Sequence, residues 1–115
     1  MVERAIKIAI LGGRGYGAGE LLRLLTQHPR AEVVSVVSSS HVGQRVDDVH
    51  PHLRGFYDLT LAGRIDFDRL LSGDHAVVFS ALPNGSSAPA IDAVIREADA
   101  KRAGRLKVID LSGDF

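Results

Sequence analysis

Apolar positions along the chain fall into two rhythms, one suited to strands and one to helices. Ile6, Ile8, Ala9, Ile10 and Leu11 form a nearly continuous apolar run, interrupted only by Lys7. Such a run predicts a strand buried on both faces of a parallel sheet. Leu21, Leu24, Leu25 and His28 then recur at i, i+3, i+4 and i+7, the spacing of a helix that Pro29 is expected to stop. Val33, Val34, Val36 and Val37 predict a second, β-branched strand. From Ser38 to about Phe56 no period is visible, and the stretch reads as a long loop rich in Gly, Pro, His and Ser. Leu59 to Ala62 predicts a short strand, and Phe67 to Leu71 a short helix started by Asp66 and Asp68. Ala76 to Leu82 reads as another buried strand, ended by Pro83. A helix is expected from about Ser86 to Ala103, with Ile91, Val94, Ile95 and Ala98 on its inner face and Gly104 at its end. Leu106, Val108, Ile109 and Leu111 predict the last strand.

Strands that alternate with helices imply parallel βαβ units joined by right-handed crossovers. The expected fold class is α/β, a Rossmann-like, doubly wound and mostly parallel sheet. A chain of 115 residues allows one such domain, residues 1–115, with one core. Fourteen basic residues balance fourteen acidic ones, so no net field recruits nucleic acid or an anionic membrane. No apolar run approaches the roughly 18 residues of a membrane-spanning helix. The first residues do not read as a secretion signal, because Glu3 and Arg4 precede the apolar run, Lys7 breaks it and glycines follow it. A cytoplasmic location is expected. Cysteine is absent, which excludes disulfides, cysteine metal sites and a cysteine nucleophile within these residues.

Between the first strand and the first helix lies Gly12-Gly13-Arg14-Gly15-Tyr16-Gly17-Ala18-Gly19. A glycine pattern gains meaning from that strand-to-helix context. Gly12 is expected to make the tight turn, Gly15 to let the backbone approach a pyrophosphate, and Ala18 to permit close helix–strand packing. The helix N-terminus offers unpaired N–H groups and partial positive charge to phosphates. Gly12, Arg14, Gly15, Tyr16, Gly17 and Ala18 are therefore candidate cofactor-binding residues; a tight turn without a ligand is the alternative. At the end of the second strand, an enzyme using NAD usually carries an acid for the ribose 2′-hydroxyl. Here Ser38, Ser39 and Ser40 occupy that place, followed by His41, and no acid appears before Asp47. Hydroxyls remove the repulsion against a 2′-phosphate, and Arg14, His41 or Arg45 can supply positive charge. The expected cofactor is NADP (NADPH) in preference to NAD.

These residues, and others in the same order, carry a resemblance. Gly12 to Leu25, read as Gly-x-x-Gly-Tyr-x-x-x-Glu-Leu-Leu-Arg-Leu-Leu, resembles the opening of N-acetyl-γ-glutamyl-phosphate reductases. The resemblance continues through His28-Pro29, His50-Pro51-His52-Leu53, Ala81-Leu82-Pro83-Asn84-Gly85-Ser86-Ser87 and Asp110-Leu111-Ser112-Gly113-Asp114-Phe115. It departs at Arg14 and Gly17, where the family commonly has Ser and Thr, and at Asn84, where it commonly has His. The resemblance implies NADPH-dependent reduction of an acyl phosphate to a semialdehyde through a cysteine thioester, with a His assisting proton transfer. It also implies that the cysteine-bearing, catalytic and dimerisation domain is absent from this chain, which is then not expected to run the reaction alone. By analogy, Ala81, Pro83, Asn84 and Gly85 lie near the adenosine ribose or nicotinamide, and Ser112 near the nicotinamide ribose. Apolar surface around Leu106 to Phe115 is expected to be exposed, giving self-association or a partner chain.

Three other readings stay beside this one: a non-catalytic NADP-binding module, an aspartate-semialdehyde-type dehydrogenase, and the aminoadipate analogue of the reductase. Weaker signals carry little. His50 and His52, with Asp47 and Asp48 nearby, read as a polar loop and not as metal ligands. Asn84-Gly85-Ser86 matches a glycosylation sequon without any sign of secretion, and no Gly-x-Ser-x-Gly elbow supports a hydrolase.

Overall fold

The computed structural model describes residues 6–101 and 106–112. Its elements are β1 (Ile6–Leu11), α1 (Tyr16–Leu25), β2 (Ala31–Val37), α2 (Val46–Val49), a 3₁₀ turn (Pro51–Leu53), β3 (Leu61–Ala62), α3 (Phe67–Leu70), β4 (His75–Ser80), α4 (Ser87–Ala100) and β5 (Leu106–Asp110). The five strands form one sheet in the order β3-β2-β1-β4-β5, and every strand pair is parallel. The expected α/β, Rossmann-like, doubly wound sheet is thus present. The chain winds outward from β1 through β2 to β3, then crosses back to lay β4 against the other side of β1. Strand order therefore reverses between β1 and β4, the place where ligands sit in such sheets.

The apolar run of β1 is buried on both faces, and its alternation decides which layer each side chain joins. Ile8 and Ile10 pack with Ala18 and Leu22 of α1, Val46 of α2 and Leu53 of the 3₁₀ turn. Ala9 and Leu11 pack with Phe67 and Leu70 of α3 and with Val94 and Ala98 of α4. The register between β1 and β2 slips by one residue, since Ile8 pairs Val33 but Ala9 pairs Ser35. The slip lets Val33 and Val36 enter one layer and Val34 the other. The Ser35 hydroxyl accepts a hydrogen bond from the Asp66 amide at 3.2 Å. Asp66 caps α3 as expected, accepting from the Arg69 amide at 3.2 Å.

The structure corrects several expectations. α1 ends at Leu25, where the Thr26 hydroxyl bonds the Arg23 carbonyl, and His28 lies beyond it before Pro29 is reached. Its buried residues are Ala18, Gly19 and Leu22, while Leu24 is 56% exposed. Ala18 packs in the core below the helix, Gly19 lies against His50 and His52, and Leu24 is on the opposite, outward side. On α4, Ile91, Val94 and Ala98 are buried as expected but Ile95 is 43% exposed. The expected end of this helix at Ala103 and Gly104 lies outside the described residues. Ser38 to Phe56 is not structureless, for it holds α2 and the 3₁₀ turn, anchored by fully buried Val46 and Leu53. On the α1 face the helices cover β1, β2 and β3. Phe79 and its register partner Ile109 continue that face toward the β5 edge, where Ile109 and Leu111 are 43% and 54% exposed. Apolar surface near the last strand is therefore present; Gly113 to Phe115 lie outside the described residues.

Candidate functional site

The carboxyl ends of β1 and β4 meet at the switch point, and backbone builds most of what lies there. Gly12 leaves β1 with a φ of +79°, and a Cβ on it would lie 3.0 Å from the carbonyl carbon and oxygen of Ala81. Only glycine combines that conformation with that approach. The Gly13 amide donates to the Val37 carbonyl at 2.8 Å, and the Gly15 amide donates to the Gly12 carbonyl at 3.2 Å. Gly15 is the N-cap of α1 in extended backbone, no side chain caps the helix, and no acid stands in its first turn. The first-turn amides and the positive helix end are thus left for a ligand. Ala18 is fully buried in the close-packing position, Tyr16 is 84% exposed, and Gly17 has no atom near its missing side chain.

At the end of β2 the three serines have different fates. Ser38 is buried, and its hydroxyl accepts from the Ser40 amide at 3.3 Å, so it shapes the turn. Ser39 and Ser40 are exposed. The Arg14 guanidinium donates to the Ser40 hydroxyl at 3.2 Å, joining the glycine turn to this rim. His41 is exposed with a φ of +59°. Arg45, the third expected cation, is engaged elsewhere. It makes two hydrogen bonds to the Asp47 carboxylate, at 2.9 and 3.2 Å, and one to Asp58 at 3.0 Å. The Arg45 hydrogen bonds hold the Asp47 carboxyl below its ordinary value, with burial opposing. Asp47 is itself buried, so no acid takes the place of the usual ribose ligand.

Beyond β4, the Ala81 amide donates to the Leu11 carbonyl at 2.9 Å and extends the ladder into the crevice. Pro83, Asn84, Gly85 and Ser86 form an exposed turn, closed by the Ser86 amide on the Pro83 carbonyl at 3.1 Å, with Gly85 at a φ of +88°. Beneath it runs a buried hydroxyl chain. The hydroxyls of Ser80 and Ser87 are 2.6 Å apart, and Ser87 donates to the Asp110 carboxylate at 2.7 Å. Asp110 also accepts from the Ser112 amide at 2.9 Å and from its hydroxyl at 2.8 Å. One carboxylate thus ties the end of β4, the start of α4 and the exit of β5, which fixes Ser112 at the same edge. Ser80 and Ser87 are fully buried and hydrogen-bonded, so they join elements together and do not act as nucleophiles.

The Ser112 amide, then the Ser87 and Ser112 hydroxyls, hold the Asp110 pKa below its ordinary value, against the effect of burial. A depressed carboxylate contributes stability above its unfolded pKa, about 3.9, and loses it as pH falls through the folded value. Asp110→Asn is therefore expected to unfold more readily at neutral pH and to show a flatter loss of stability below about pH 4. Urea melts at a series of pH values check this; parallel pH curves for the two proteins would refute it.

Two further features escaped the sequence reading. His50 and His52 do not lie in an open polar loop: His50 is buried, with Nε2 2.7 Å from the Gly13 carbonyl, and His52 Nε2 is 3.2 Å from the Gly19 carbonyl. Gly19 signalled this, since glycine inside a helix marks a close approach. Among the described residues no group of three His, Asp or Glu side chains is placed to hold a metal ion, and no helix is long and apolar enough to cross a membrane. An apolar cleft of about 220 Å³ opens on the α4 face, lined among others by Leu11, Val37, Phe67 and Val94. Leu11 and Val37 end their strands, so the cleft reaches the same edge of the sheet.

A reversed strand order, a glycine turn on an uncapped helix N-terminus and a rim of hydroxyls with an exposed arginine define a dinucleotide-binding Rossmann domain. The sequence matches the semialdehyde dehydrogenase NAD-binding domain over residues 7–115, and the chain belongs to that family. It is similar to the LysW-L-2-aminoadipate/LysW-L-glutamate phosphate reductase of Sulfurisphaera tokodaii, 40% identical over 111 residues. It is equally similar to the N-acetyl-γ-glutamyl-phosphate reductase of Pelotomaculum thermopropionicum, again 40% identical over 111 residues. Both matches take in 96% of this chain and 29% of the relative, so the chain spans under a third of these proteins. In fold it is like the aspartate semialdehyde dehydrogenase of Candida albicans solved with NADP, with a TM-score of 0.65, 23% identity, and coverage of 94% of this chain and 30% of that one.

Proposed function

We propose that this domain binds NADPH for a cytoplasmic reductase that converts an acyl phosphate to a semialdehyde, as in N-acetyl-γ-glutamyl-phosphate reductase. The observation that carries the choice of cofactor is the Arg14–Ser40 pair at the rim of the glycine turn, where no carboxylate stands. A 2′-phosphate meets a guanidinium and hydroxyls there, whereas a 2′-hydroxyl finds no acid to accept its proton. Gly12, Gly15 and the first-turn amides of Tyr16, Gly17 and Ala18 suit the pyrophosphate. The apolar cleft bounded by Leu11, Val37 and Val94 suits a planar base. Ala81 to Gly85 and Ser112, at the ends of β4 and β5, would border the nicotinamide half. The cofactor supplies hydride; these residues hold and orient it.

The sequence has no cysteine, so the thiol of the proposed thioester chemistry is supplied from outside these residues. Relatives named for either the acetylglutamyl or the LysW-linked substrate share this domain, and the proposal extends equally to both acyl phosphates. The exposed Ile109 and Leu111 suit burial against a partner chain or a second copy, which sedimentation at rising concentration would detect. Parallel calorimetric titrations with NADPH and NADH test the cofactor assignment. Binding of NADPH at least about ten-fold tighter than NADH is expected, the difference a charged hydrogen bond commonly makes. Equal affinities would overturn NADPH preference, and no binding of either would overturn the cofactor reading.

A further inference from the structure

The segment after the serine rim holds the glycine turn from behind. Three of its side chains each end on a main-chain carbonyl of the turn or of α1: His50 on Gly13, His52 on Gly19, and the Tyr57 hydroxyl on Leu22 at 2.6 Å. Because a carbonyl only accepts, each histidine donates from Nε2–H. A Cβ on Gly19 would lie 2.7 Å from His50 Nδ1, so the bare helix surface is what admits the imidazole. The ring is fixed from its own side too. The His50 amide donates to the Val46 carbonyl at 2.9 Å, and the Leu53 amide donates to the His50 carbonyl at 2.9 Å.

The His50 bond has a consequence that the other two do not. A trans peptide is planar, with its C=O and N–H pointing in opposite directions. When the Gly13 carbonyl points inward at His50, the Arg14 amide on the same peptide points out of the core. The Gly13 amide, bound to Val37, fixes the preceding peptide. We propose that His50 is a positioning residue: it sets the Gly13–Arg14 peptide so that the Arg14 amide faces the phosphate-binding crevice. The proposal rests on the dinucleotide reading, but the orientation of the Arg14 amide can be measured without any ligand.

The experiment compares His50→Ala, His50→Gln and Tyr57→Phe in the full chain, by the amide resonance of Arg14, by melting temperature and by NADPH titration. His50→Ala is expected to shift the Arg14 resonance and to weaken NADPH by about ten-fold or more, the loss of one hydrogen bond to a charged group. His50→Gln, whose amide nitrogen can take the place of Nε2, is expected to restore both. Tyr57→Phe, which loses a bond at the far end of the helix, is expected to lower the melting temperature and leave affinity within about three-fold, as a remote contact should. Unchanged resonance and affinity in His50→Ala would overturn the proposal, as would a loss of affinity in Tyr57→Phe equal to that in His50→Ala. If His50→Ala does not fold, His50→Asn, whose side chain is too short to reach Gly13, is judged by the same criteria. If the unmodified chain binds no dinucleotide, the cofactor reading falls, and the Arg14 resonance alone decides the positioning role.

Discussion

Gly12→Ala is expected to abolish dinucleotide binding and to destabilise the domain by about 3 kcal/mol, combining a left-handed backbone at an alanine with overpacking. Two effects act together at this position. The residue sits at a φ of +79°, where a side chain is strained whatever the space around it. Its new methyl would also press on the Ala81 carbonyl at 3.0 Å and on the Leu82 amide nitrogen at 3.1 Å. Those are main-chain atoms just beyond β4, next to the Ala81 amide that bonds the Leu11 carbonyl, so they cannot rotate aside as a side chain would. Relief requires β1 and β4 to separate where the crevice is built. Urea unfolding followed by NADPH titration measures both effects. A folded Gly12→Ala protein with unchanged affinity would show that the close approach of the two strand ends does not matter to the site.

The second large effect is a change of cofactor preference. Arg14→Ala is expected to weaken NADPH by about ten-fold while leaving NADH nearly unchanged, because an exposed charged hydrogen bond is lost from the 2′-phosphate side alone. Ser40→Asp goes further. It places a carboxylate beside Arg14, neutralises the guanidinium, repels a 2′-phosphate and offers a 2′-hydroxyl its usual acceptor. The expected result is a preference for NADH over NADPH. Loss of both cofactors together would instead assign Ser40 a structural part in the turn. Ser38→Ala serves as the contrast, for its hydroxyl is already used on the Ser40 amide.

The strands and the glycine turn were legible because their signals are local. β1 is an apolar run on its own, and Gly12 to Gly19 follows it directly. What the sequence hid was set by distant partners. Leu21, Leu22, Leu24 and Leu25 are equally apolar, and periodicity alone does not say that Leu22 is the fully buried one and Leu24 the exposed one. Arg45 is a candidate phosphate cation in the sequence, yet Asp47, two residues on, and Asp58, thirteen residues on, both hold it. His50 read as polar, yet it is buried because the Gly13 carbonyl, 37 residues earlier, satisfies its ring. Nothing local in the sequence joins Ser80, Ser87 and Asp110, and only the parallel pairing of β4 with β5 brings them into one chain. Polar groups inside a core are chosen by their partners, and a partner far along the chain leaves no local period.

The strand order also has a consequence for how the domain is made. β1 lies between β2 and β4. The first neighbour ends at Val37, but the second does not begin until His75. At a ribosomal rate of roughly 5–20 residues per second, β1 waits about 2–8 seconds with one hydrogen-bonding edge complete and the other open. An unpaired apolar strand is a template for any other extended chain. Until β4 is made, Ile6 to Leu11 has no native partner on that edge, and the arrival of β4 closes the edge and creates the crevice together.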